Sequence, residues 1–206
     1  LELHTVTPAA GYSQADVTEF AKVLTGWTFA PQREPFDFVF RPQAHEPGPK
    51  TVMSRTFPEG QEGGLQALAW LGRHDVTYRH VATKLVRHFV ADTPAPEDVR
   101  VIHGVLKDTD GDLGAASRAL VGLDSAWASP LGKVRSSSDY VVAVLRAVEA
   151  PQDMVDRATA ALQYLGQPLW NPPAPIGWPD RAADWASPEM MVRRIEWASA
   201  VSGRWS

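Results

Sequence analysis

Residues 76–106 read VTYRHVATKLVRHFVADTPAPEDVRVIHGVL, and the spacing of their apolar positions decides the fold. Val81, Leu85, Val86 and Phe89 recur at three- and four-residue intervals, which is one stripe of an amphipathic helix. Pro96-Glu97-Asp98 starts a second helix, with Val101, Ile102, Val105 and Leu106 as its stripe. Toward the C-terminus the period persists. Asp110-Gly111-Asp112 breaks the second helix and caps a third, which carries Leu113, Ala116, Leu120 and Leu123. Val141, Val142, Leu145 and Val148 make a further stripe, ended by Pro151, and Ser138 is the expected cap of that helix. Met154 to Leu165 and Pro188 to Val201 supply the last two helices.

Between those two lies LGQPLWNPPAPIGWPDRAADW, residues 165–185, with three Trp and five Pro. So many prolines exclude a regular helix and a central strand. A floppy linker would use Gly and Ser instead. The indole rings are therefore expected to pin an extended loop onto a helical body, with Trp178 largely buried.

Toward the N-terminus, Gly60, Gly63 and Gly64 precede a helix carrying Leu65, Leu68 and Leu71 and stopped at Gly72. Phe36 to Phe40 alternates in the β manner, and Thr51-Val52-Met53 is its expected partner across the loop that follows. Ser13 and Asp16 have the spacing of a helix cap, ahead of a stripe of Val17, Phe20, Ala21 and Leu24 closed by Gly26. Leu1 to Thr5 reads as the last turn of a helix already under way. The expectation is that residues 1–206 form the C-terminal part of a larger helical domain, whose missing N-terminal half is a partner. The predicted fold is mainly α: a helical array with one small β-hairpin insertion and a long Trp/Pro-rich loop.

Composition bounds the function classes. Hydrophobic content is 44% and charged content 21%, ordinary for a globular domain, and 206 residues suffice for a core without staples. A net charge of -4 gives no global field for nucleic acid. No apolar run approaches the roughly 20 residues of a transmembrane helix. The chain has no cysteine, which removes disulfides and thiolate chemistry together. Phosphate-loop, dinucleotide and nucleophile-elbow motifs are missing, and no cofactor is expected.

Three groups of side chains carry candidate chemistry. His45-Glu46-Pro47-Gly48-Pro49-Lys50 sets a base, a carboxylate and an amine on a proline-restricted loop, where Lys50 offers an anion contact. No metal is expected, because His45 and Glu46 alone fall short of the three or four ligands a metal needs. They are the one alternative pair. Asp16 and Glu19 share a helical face and are, with His45, the catalytic candidates; opposing the helix dipole is the simpler account of the two carboxylates. Finally, Arg79, His80, Thr83, Lys84, Arg87 and His88 lay a cationic stripe along one helix, of which Arg79, Lys84 and Arg87 are ligand-binding candidates together with Trp178.

Several stretches, in order, resemble a bacterial family known as domain of unknown function 1800. They are LELHT, GYSQADVTEFAKVLTGWTF, HEPGPK, ALAWLGRHDVTYRHVATKLVRHFVADTPAP, DGDLGAASRALVGLDSAW and LGQPLWNPPAPIGWPDRAADWASPEMMVRRIEWA. Glu46 and Asp75 depart from the pattern, where Asp and Pro are expected. The resemblance implies a longer parent protein, a periplasmic or exported location, and a sulfatase- or phosphatase-like neighbour as a partner. It assigns no activity to any residue. Two readings follow. One is an envelope-associated or exported helical module that binds a partner protein or an acidic ligand. The other is a hydrolase-type enzyme built around His45, Glu46, Asp16 and Glu19, which requires those groups to converge on one pocket.

Overall fold

The computed structural model describes residues 1–31, 36–128 and 132–203. They fall into two compact units, Leu1–Val81 with His103–Ala115, and Ala82–Ile102 with Ala116–Ser206. In chain order the first unit holds α1 (Gln14–Val23), β1 (Trp27–Phe29), β2 (Phe38–Phe40), β3 (Lys50–Val52), β4 (Arg55–Phe57) and α2 (Gln61–Gly72). Next come α3 (Asp75–Phe89) and α4 (Pro96–Asp108), each divided between the units along its length, and then α5 (Leu113–Val121). The chain continues with α6 (Ser125–Ala128), α7 (Ser137–Ala147), α8 (Gln152–Val155), α9 (Ala158–Tyr164), α10 (Ala182–Trp185) and α11 (Pro188–Ser202). The fold is mainly α with a small β insertion.

That insertion is paired differently from the expectation. β2 runs antiparallel to β1, with Trp27 opposite Phe40, and β3 pairs with β4, with Lys50 opposite Phe57. Phe36 to Phe40 and Thr51 to Met53 thus belong to separate two-stranded ladders. The β3–β4 turn places Met53 at φ 48° and Ser54 at φ 64°, the left-handed pair of a type I′ hairpin turn. Neither residue favours that region, so the turn needs support from outside. Asp16 supplies it: its Oδ1 accepts the Met53 N–H at 2.6 Å.

The same carboxylate completes the cap of α1. Asp16 Oδ2 accepts the Ser13 N–H and Oγ–H at 2.7 Å each, while Ser13 Oγ accepts the Asp16 N–H. Beneath α1 the core of the unit is Val23, Val52, Phe57 and Ala67, with Phe20, Leu24, Met53 and Trp70 packed on it. In α2 the buried face is Gly63, Gly64, Ala67 and Leu71, whereas Leu65 and Leu68 are exposed. A Cβ on Gly63 would stand 1.8 Å from the Pro58 carbonyl oxygen, which explains why a residue without a side chain opens this helix.

Residues 2–4 form a turn. Leu1 O accepts both the Thr7 N–H at 3.2 Å and the Thr5 hydroxyl at 3.0 Å. In the second unit, Val141, Ala161, Leu162 and Leu165 form the core with Tyr140, Leu145 and Trp197 against them. Ser136, not Ser138, caps α7; the Ser138 N–H instead donates to Gln167 Oε1 at 2.7 Å, and the buried Ser137 hydroxyl donates to Leu165 O. Those two bonds tie the start of the Trp/Pro loop to α7. Residues 169–176 of that loop are exposed, and Trp178 is only half-buried. The anchor is Trp185, 4% exposed, whose Nε1–H donates to Pro179 O at 2.9 Å and whose ring lies 6.2 Å from that of Trp178. Among the described residues no helix is long and apolar enough to cross a membrane.

Candidate functional site

His45 and Lys50 meet in the first unit. His45 Nδ1 lies 2.9 Å from Thr25 O at the end of α1, a carbonyl that only accepts, so Nδ1 carries a proton. Nε2 then faces two donors with its lone pair, the Gly60 N–H and Lys50 Nζ, each at 3.0 Å. Lys50 is 2% exposed and has no carboxylate partner among the described residues; its second acceptor is the Glu46 carbonyl. Thr25 Oγ1 accepts the Glu46 N–H at 2.8 Å. Every polar atom of the imidazole is therefore used to fasten the proline loop to α1 and to the start of α2.

Asp16 and Glu19 bond elsewhere. Asp16 serves Ser13 and Met53, and Glu19 pairs with Lys22 at 2.7 Å. Backbone and side-chain hydrogen bonds from Ser13, then the Met53 N–H, lower the Asp16 pKa from the ordinary carboxylate value, outweighing partial burial. No group of three or more His, Asp or Glu among the described residues could hold a metal ion.

The cationic stripe of α3 divides between uses. His80 Nε2 lies 3.1 Å from Leu3 O. Lys84 and Arg87 are half-buried, and Arg87 Nε is enclosed without a hydrogen-bond partner among the described residues. Arg79 is exposed. His88, in the last turn, opens onto a cavity of about 380 Å³ in the second unit.

That cavity brings several charged side chains together. His88 Nδ1 lies 2.7 Å from Asp180 Oδ1, which stands just after the Gly177-Trp178-Pro179 corner. Lys133 Nζ donates to Asp92 and to the Asp180 carbonyl. The second oxygen of Asp92 accepts the Ala182 N–H at 2.6 Å. Burial alone would raise the Asp92 pKa. The Lys133 hydrogen bond, the Ala182 N–H and the charges of Lys133 and Arg181 outweigh it and hold the carboxyl below its ordinary range.

Arg135 and Ser136 also line the cavity, at the N-terminus of the 11-residue helix α7. Arg135 is exposed and makes no ion pair among the described residues. Behind it Arg194 is 5% exposed; one of its amines donates to Arg135 O at 2.8 Å, and its Nε has no partner among the described residues. Burial lowers the Arg194 pKa from its ordinary value, against a smaller opposing effect of Tyr140. Asp92 pairs with Lys133 and Asp180 with His88, while Asp139 accepts only the Ser136 hydroxyl. Arg194 is held by the Arg135 carbonyl and lies over the Tyr140 ring, 5.1 Å from its centroid, so Arg135 is the lining guanidinium without an ion pair among the described residues.

Only His88 of this site lay in a motif with an evident charge pattern. Asp92, Lys133, Arg135, Asp180 and Arg194 are scattered over a hundred residues. Asp180 lies in the Trp/Pro-rich stretch, whose composition pointed to the indole rings and not to this carboxylate.

An α-helical protein with a cation-lined cavity under a Trp/Pro loop is the class that fold and site define. The chain belongs to the family described as Protein of unknown function (DUF1800), whose family model matches residues 1–204. No curated protein and no solved structure matches it.

Proposed function

We propose that the chain is a binding module for a small acidic ligand, seated in the second unit's cavity, and that it works in an exported, envelope-associated protein. The observation that carries the ligand reading is Arg135, an exposed guanidinium that lines the cavity and makes no ion pair among the described residues. A guanidinium keeps its charge at all physiological pH values and offers a planar fork that matches a carboxylate. The N-terminal end of α7 adds positive potential to the same wall.

The binding test is a titration of the full chain with sodium acetate, followed by backbone amide chemical shifts. Saturable shifts confined to residues 133–139 and 179–182, lost in Arg135→Met, are expected. Linear shifts spread over all basic residues would overturn the reading. Fractionation of cells expressing the native gene tests the location, with a purely cytosolic pool as the contrary result.

A further inference from the structure

We infer that the acidic ligand carries a flat apolar ring, so that its chemical class is an aromatic carboxylate. This rests on the acidic-ligand reading above and adds the part of the molecule that the cations do not touch.

Size gives the first argument. A cavity of about 380 Å³ falls within the range of about 300–1,000 Å³ typical of sites for small organic molecules. Acetate or an inorganic anion at Arg135 would leave most of that space to water. The composition of the walls gives the second. Besides the charged groups, Phe89, Val134, Pro179 and Trp185 line the cavity. Trp185 is fixed by its bond to Pro179 O and barely exposed, so it presents a rigid surface. Phe89 is 60% exposed at the last residue of α3. Its ring meets that of His88 edge-on, with centroids 4.5 Å apart and planes at 82°. An exposed aromatic ring beside a cavity is a surface that a second ring would remove from water.

His88 lines the cavity as well. Its Nδ1 is committed to Asp180, and Nε2 has no hydrogen-bond partner among the described residues. The imidazole thus offers one polar atom beside the Phe89 ring. A ligand that carries both a ring and a carboxylate satisfies both kinds of lining group at once. A ring without charge leaves Arg135 unpaired, and a charge without a ring leaves Phe89 in water.

The experiment compares acetate, phenylacetate and the neutral 2-phenylethanol on the full chain by calorimetric or amide-shift titration. Phenylacetate is expected to bind at least about tenfold more tightly than acetate, the scale of one good aromatic contact plus ring burial. Phe89→Ala should lower phenylacetate affinity about tenfold and close that gap. Because Phe89 is exposed, the variant should keep its fold, which circular dichroism checks. Arg135→Met should weaken phenylacetate more than 2-phenylethanol. If acetate binds but phenylacetate binds no more tightly, or its margin survives Phe89→Ala, the ring inference is wrong and the acidic-ligand reading stands. If neither anion binds, or phenylacetate binds equally well to Arg135→Met, the acidic-ligand reading itself is overturned.

Discussion

His45 has three neighbours that each depend on it: Thr25 O accepts from Nδ1, and the Gly60 N–H and Lys50 Nζ donate to Nε2. Truncation would strand a backbone donor and a buried amine together. Leaving a buried donor unsatisfied costs about 1–3 kcal/mol, so His45→Ala should lower unfolding free energy by about 3 kcal/mol in a denaturant melt. A loss near zero would return His45 to the candidates for chemistry. Asp16 gives a second residue-level expectation, in pH. Its folded pKa is lowered, so its stabilisation is complete above the unfolded carboxylate value of about 3.9 and is lost as pH falls through the lower folded value. The gap in melting temperature between the wild type and Asp16→Asn should therefore be present at neutral pH and shrink below about pH 4. A gap of constant size across that range would show that the hydrogen bonds to Ser13 and Met53 do not depend on the charge.

Elements whose cause is local were legible, and those whose cause is remote were not. The cap at Ser13 and Asp16 lies within four residues, and the structure contains it with both reciprocal bonds. The apolar stripes of α3, α4, α5 and α7 follow from the 3.6-residue period of one segment. Strand pairing is a relation between segments, and an alternating run such as Phe38-Val39-Phe40 does not say which partner it takes. Leu65 and Leu68 had the right spacing for a core face, yet the close approach of Gly63 and Gly64 to Pro58 and Trp27 turns α2 so that Ala67 and Leu71 face inward. In the Trp/Pro loop, composition implied an indole anchor, but the ring expected to serve, Trp178, is only half-buried. Trp185, in the short helix α10, is the one enclosed. Trp185→Ala should cost about 3–5 kcal/mol, and Trp178→Ala distinctly less, in paired thermal melts. Equal losses at the two positions would mean that the exposed stretch before Gly177 is held by Trp178 after all.

At the scale of the whole chain, the candidate cavity is a convergence of three distant segments, residues 88–89, 133–139 and 179–185. Each is unremarkable in sequence. Lys133 and Arg135 are two surface-type charges, and Asp92 follows a helix end. Nothing periodic connects them, because the order in which a chain returns to one place is set by the packing of α7, α9 and α11 rather than by any local pattern. Asp92 is the joint. One of its oxygens takes Lys133 and the other the Ala182 N–H, so a single carboxylate fixes the segment before α7 and the start of α10 together. Its lowered pKa makes that joint dependent on acid: closure is complete above about 3.9 and is lost as pH falls through the lower folded value. Asp92→Asn keeps the shape of the side chain but removes the charge that holds Lys133. Amide exchange in residues 179–185 should then be faster in the variant than in the wild type at neutral pH, with little change in α1 or α2. The difference should narrow as the wild type is acidified. Uniform acceleration over the whole chain would mean that Asp92 supports global stability, whereas no acceleration at residues 179–185 would mean that Trp185 alone holds the loop.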